Sequence, residues 1–182
     1  MVISVTVLLV TGLYLNNPIY GFMGTPGMIR KIHSITGVVL IFVFFSQVYY
    51  YCYTGKFTEI VLLPRDIVFC RSFLRYYLFL TKQHPNFGRY NIGQKLIFSA
   101  WGAAVVVAGC TGVVLFLPET LEQLEWLFGG LMRIRMLHYF VAVFFLASIP
   151  LHLYLVFTEE PAKLQAMFTG FVQKNPSPKD GE

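Results

Sequence analysis

Charge is scarce in this 182-residue sequence: 13% of residues are Asp, Glu, Lys or Arg, against 56% hydrophobic. A soluble domain of this size carries about a quarter charged residues, so the composition argues against a water-facing globule. Carboxylates are scarcest, nine against fourteen basic residues, and the long apolar runs hold none. That disfavours a zinc cluster, which asks for Cys or carboxylate beside His. Cysteine is sparse too. Cys52, Cys70 and Cys110 form neither a CxxC nor a CxxCH, which excludes a zinc ribbon, a thiol redox pair and covalent c-type haem attachment. They read as small buried hydrophobes. A signal peptide with a basic start and cleavage site is also lacking.

What is present is apolar sequence in four runs, about 1–15, 33–54, 96–117 and 136–157, with a mean hydropathy of +0.62 for the chain. The last three match the roughly 20 residues that cross a hydrocarbon core, and the first falls short, as if cut at its start. The fold expected is an all-α, integral membrane four-helix bundle over 1–160, followed by an amphipathic tail over 161–182. The net charge of +5 sits in the loops, a pattern of membrane topology and not a nucleic-acid footprint. Lys56, Arg65, Arg71, Arg75, Lys82, Arg89 and Lys95 crowd the connection between the second and third runs, and Lys163, Lys174 and Lys179 the tail. Positive-inside bias therefore puts both termini in the cytoplasm, with Arg30 and Lys31 arguing mildly the other way. Residues 64–81 and the segment opening at Pro161 pattern as amphipathic surface helices, suited to lipid or to a partner subunit.

Histidine gives the runs a chemistry. His138 and His152 stand fourteen residues apart in one run, within roughly 40° of one helix face and about 21 Å apart along the axis. Ionisable groups inside a membrane are costly and mark function. The spacing suits two cofactors stacked at different depths. His33, at the outer start of the second run, matches His138 in depth, so the two could hold one metal centre. His152 lies deeper, where the matching depth brings only Gln47, Lys95 and Phe98, all poor ligands; on the first run it falls just upstream of Met1. Haem needs axial ligands and an apolar pocket with small residues beside it, and Gly37, Gly102, Gly109 and Gly112 offer room. His84, before Pro85 in a polar stretch, takes no role.

The run Gly88-Arg89-Tyr90-Asn91-Ile92-Gly93-Gln94-Lys95, with the His138–His152 spacing and His33 after Gly24-Thr25-Pro26, resembles the cytochrome b (gamma) subunits of membrane-bound formate dehydrogenases. The wider superfamily includes the cytochrome b subunits of nickel–iron hydrogenases. The resemblance spans nearly the whole chain, from Thr11-Gly12 to the tail. It implies two b haems in a multi-pass protein of the bacterial inner membrane. Electrons would pass from an iron–sulfur subunit, fed by a catalytic subunit, to menaquinone or ubiquinone. By position His33 and His138 would ligate the outer haem and His152 one side of the inner haem. Asn91, Gly93 and Gln94 would lie at the quinone site. The fourth histidine of the family belongs at the start of the first helix, so that helix is expected to be truncated here. The chain would do no chemistry on formate itself. A hydrogenase or another respiratory dehydrogenase as donor, and a haem-free anchor or metal transporter, remain the alternatives.

Overall fold

The computed structural model describes residues 1–17, 24–69, 71–72, 75, 78, 80–81 and 92–159. Every regular element among them is helical: α1 (Val2–Asn16), α2 (Pro26–Tyr53), α3 (Phe57–Ile60), a 3₁₀ turn (Pro64–Phe69), α4 (Ile92–Phe116), α5 (Glu122–Leu127) and α6 (Leu131–Glu159). Three stretches, Pro26–Tyr53, Ile92–Phe116 and Leu131–Tyr154, are long and apolar enough to cross a membrane. The 15 residues of α1 reach about 22 Å, short of a hydrocarbon core of about 30 Å.

The helix ends follow local chemistry. The hydroxyl of Thr25 accepts the Met28 N–H, and Pro26 occupies the first turn, where its missing N–H costs nothing. Hence α2 starts seven residues before the expected boundary at His33. Arg30 and Lys31 interrupt the hydropathy but not the helix. At the other end Gly55 takes a φ of +68°, letting its N–H reach the Cys52 carbonyl and the Lys56 N–H reach that of Tyr51, a Schellman closure that favours glycine. Gly129 closes α5 the same way. That short helix lies in a connection expected to be plain loop.

The structure divides into two compact units, 1–144 and 145–182. In the first, α1 packs along α2, and α2 against α4. Tyr14 is buried on α1 and donates to the Gly24 carbonyl at 2.7 Å, fastening α1 to the entry of α2. The buried set described there is small: Thr11 and Tyr14 on α1, Ile29 and Leu40 on α2, Asp66 in the 3₁₀ turn, Ile92, Val105, Thr111 and Val114 on α4, and Ile134 on α6. Large apolar side chains face outward elsewhere, Phe42 at 69% and Phe140 at 60% exposure among them. Such faces are untenable in water over this extent and normal against lipid or a buried cofactor.

Outside the long helices, the 3₁₀ turn is tied to α4. Asp66 accepts the Leu63 N–H at 2.9 Å and pairs with the Lys95 ammonium at 3.1 Å, while the Leu62 N–H donates to Ser99. The expected surface helix over 64–81 therefore opens as a 3₁₀ turn, because the Asp66 N–H bonds the Leu63 carbonyl three residues back. The described part of the second unit, 145–159, is helical with Pro150 inside it, an interruption that membrane helices tolerate. The tail helix expected from Pro161 lies outside the described residues.

Candidate metal centre

His33 sits two turns into α2 and His138 two turns into α6. Their rings face each other with centroids 6.2 Å apart and planes at 68°. Each imidazole is held by a hydroxyl from a different helix. His33 Nδ1 lies 2.8 Å from Thr11 Oγ1 on α1, and His138 Nδ1 lies 2.8 Å from Thr111 Oγ1 on α4. Behind each threonine comes a glycine whose missing side chain lets the imidazole approach. A Cβ on Gly12 would stand 3.3 Å from His33 Cε1, and one on Gly112 would stand 3.5 Å from His138 Cε1. Four helices thus contribute to one small site.

The distance carries chemical meaning. A metal bound on opposite sides by two imidazole nitrogens at about 2 Å, with about 1.1 Å from each nitrogen to its ring centre, separates the rings by about 6 Å. The 6.2 Å observed fits one metal between the pair. Among the described residues no group of three or more His, Cys, Asp or Glu converges, and the ligating side chains brought together here are the two imidazoles. Haem is a group that asks for no more, its porphyrin supplying the other four donors.

His152 is half-buried in the second unit. Gly93 and Gln94 are half-buried in the first turn of α4, next to the Lys95–Asp66 pair. Asn91 and His84 lie outside the described residues, as does Cys70. Gln47, expected to be a poor ligand, lines a groove of about 440 Å³ on α2 with Phe42, Val43, Ser46, Tyr50 and Tyr51. Of the glycines expected to give room, Gly112 does so beside His138, whereas Gly37 and Gly109 meet Leu8 and Ile41 as helix-packing residues. Sequence reasoning passed over Thr11, Gly12 and Thr111 as parts of the site. A hydroxyl followed by glycine within an apolar run is a signal they share with Thr36-Gly37.

Comparison with known proteins agrees with a haem-binding membrane subunit. The chain is 29% identical over 132 residues to the formate dehydrogenase cytochrome b556(fdo) subunit of Escherichia coli K12, and equally to those of strains O6:H1 and O157:H7. The match covers 72% of this chain and 58% of each relative, so the chain spans little more than half the length of those curated proteins. No solved structure matches. The family model described as prokaryotic cytochrome b561 matches residues 1–170, and the chain belongs to that family.

Proposed function

We propose that this chain is the haem b electron-transfer and membrane-anchor subunit of a formate dehydrogenase complex, passing electrons from an iron–sulfur subunit to the quinone pool. One observation carries the reading: two neutral-capable imidazoles on membrane-spanning helices face each other at 6.2 Å, each oriented through Nδ1. The formate donor is favoured over a hydrogenase by the likeness to the formate dehydrogenase cytochrome b556(fdo) subunits.

In this account His33 and His138 would hold one b haem, and His152 would help to hold a second. Haem supplies a one-electron iron couple when bound. The work of the chain is to present two imidazole lone pairs at fixed separation and to exclude water with apolar helix faces. The start of α4 serves quinone. A quinone is an apolar ring with two carbonyl acceptors, so it needs a greasy cleft edged by one or two donors. Asn91 supplies an amide, Gly93 a backbone N–H without steric cover, and Gln94 a second amide. The chain lies in the bacterial inner membrane with its 56–95 connection and tail on the cytoplasmic side, where the quinone is reduced. Residues 1–160 form the cytochrome domain and 161–182 a surface tail. The iron–sulfur and catalytic subunits complete the assembly.

The complex purified from membranes tests this. The pyridine haemochrome should show b haem, and formate should reduce it under nitrogen, with reoxidation on adding a quinone. Absence of b haem overturns the reading, and reduction by hydrogen but not by formate reassigns the donor to a hydrogenase.

A further inference from the structure

Thr11 and Thr111 occupy equivalent places in two halves of the first unit. Each stands five residues before the last residue of its helix, Asn16 or Phe116, and each is followed by glycine. Each faces a histidine seven residues into the next long helix, counted from Pro26 or Leu131. The pair α1–α2 and the pair α4–α6 therefore repeat one device: hydroxyl and glycine on the first helix, imidazole on the second.

The hydrogen positions in this device are fixed by distance. Thr11 Oγ1 lies 2.6 Å from the Val7 carbonyl, and Thr111 Oγ1 lies 2.7 Å from the Val107 carbonyl. Two acceptor oxygens that close need the hydroxyl proton between them. The one proton of each hydroxyl is thus committed to its own helix, and the oxygen faces the imidazole with lone pairs only. At 2.8 Å it accepts, so each Nδ1 carries the hydrogen and each Nε2 keeps its lone pair.

We infer that Thr11 and Thr111 are positioning residues for a haem between His33 and His138, fixing both imidazoles as Nδ1–H tautomers and strengthening them as donors through Nε2. The inference rests on the haem reading above and adds to it which groups tune the iron. An acceptor on the outer nitrogen raises ligand basicity and favours ferric over ferrous iron. Removing such a partner typically costs about tenfold or more in metal affinity. Taken as a tenfold loss of ferric preference, that is about 59 mV upward for a one-electron couple.

The test is a redox titration of the assembled complex carrying Thr11→Val, Thr111→Val or both, beside Thr11→Ser and Thr111→Ser. Valine keeps the shape and loses the hydroxyl; serine keeps the hydroxyl and loses the methyl. The expected result is an upward shift of about 59 mV for Thr11→Val, a smaller upward shift for Thr111→Val, where the Ala108 carbonyl stays beside His138, a roughly additive shift in the double variant, and near wild-type potential for serine. Serine variants shifting as far as valine, or valine variants with unchanged potential, overturn the inference. If the valine variants do not assemble, pulsed electron paramagnetic resonance of the wild type decides. The remote imidazole nitrogens should show the lowered quadrupole coupling of a hydrogen-bonded Nδ1, and the coupling of unbonded imidazole overturns the inference. A wild-type complex without b haem defeats the underlying reading instead, so the two failures are distinct.

Discussion

Gly12→Ala is the smallest change that should disturb the histidine pair, and its size follows from the geometry. The added Cβ would lie 3.3 Å from His33 Cε1, closer than the roughly 3.5–4.0 Å optimum between carbons. The ring must withdraw by a few tenths of an ångström. Its Nδ1 is tethered at 2.8 Å to Thr11, the residue next to the substitution, so withdrawal stretches that bond toward its limit of about 3.2 Å. Overpacking of this kind costs about 1–3 kcal/mol, and replacing a helical glycine by alanine returns about 1 kcal/mol. The net is about 1 kcal/mol against the native site, or about fivefold in haem retention. Gly37→Ala is the control on the same helix pair, because its Cβ would meet only Leu8 Cδ2, at 4.0 Å; it should retain haem like the wild type. The assay is the haem-to-protein ratio of purified complex through a detergent wash series. Full retention by Gly12→Ala, or equal loss by Gly37→Ala, would refute the reasoning.

Other consequences are as specific. The Leu63 N–H, and after it the Lys95 ammonium, hold the Asp66 carboxyl below its ordinary value of 3.8 against the opposing effect of burial. A lowered folded value makes its stabilisation fully present above that ordinary value and lost as pH falls through the folded one. Amide exchange over 57–69 should therefore accelerate in acid below about pH 4, and Asp66→Asn should accelerate it at neutral pH by about tenfold, the loss of one charge-assisted hydrogen bond. An Asn variant with wild-type exchange at neutral pH would contradict the tether. At the proposed quinone site, Asn91→Ala should raise the KM for a water-soluble quinone by about fivefold, one lost hydrogen bond, while formate still reduces the haem at the wild-type rate. Slowed haem reduction would move Asn91 out of the quinone step.

Much of this fold is legible in one dimension, because a membrane helix announces itself by length and apolarity. The boundaries are less so. Hydropathy starts the second run only at His33, since Arg30 and Lys31 look like loop, yet the Thr25-Pro26 cap opens α2 ahead of them. The short α5 is invisible to hydropathy, being set by the Gly129 closure and the Glu125 carboxylate that accepts the Leu131 N–H. The depth match of His33 and His138 is arithmetic on helix rise, and their rings do meet. Their hydroxyl partners are not accessible to that arithmetic. Thr11 and His33 stand 22 residues apart in sequence, Thr111 and His138 27. The Thr-Gly dipeptide also occurs at Thr36-Gly37, Thr54-Gly55 and Thr169-Gly170. Only the packing of α1 on α2, and the approach of α6 to α4, selects the two that matter.

The central claim is that His33 and His138 would hold one haem iron between them. Near-infrared magnetic circular dichroism of the ferric complex reads axial ligation directly, and His33→Met and His138→Met make it site-specific. The account predicts a bis-imidazole band in the wild type, part of which moves to the imidazole–thioether position in either variant, by the same amount. A wild-type band unchanged in one variant and altered in the other would contradict it, because the two histidines would then not share a metal.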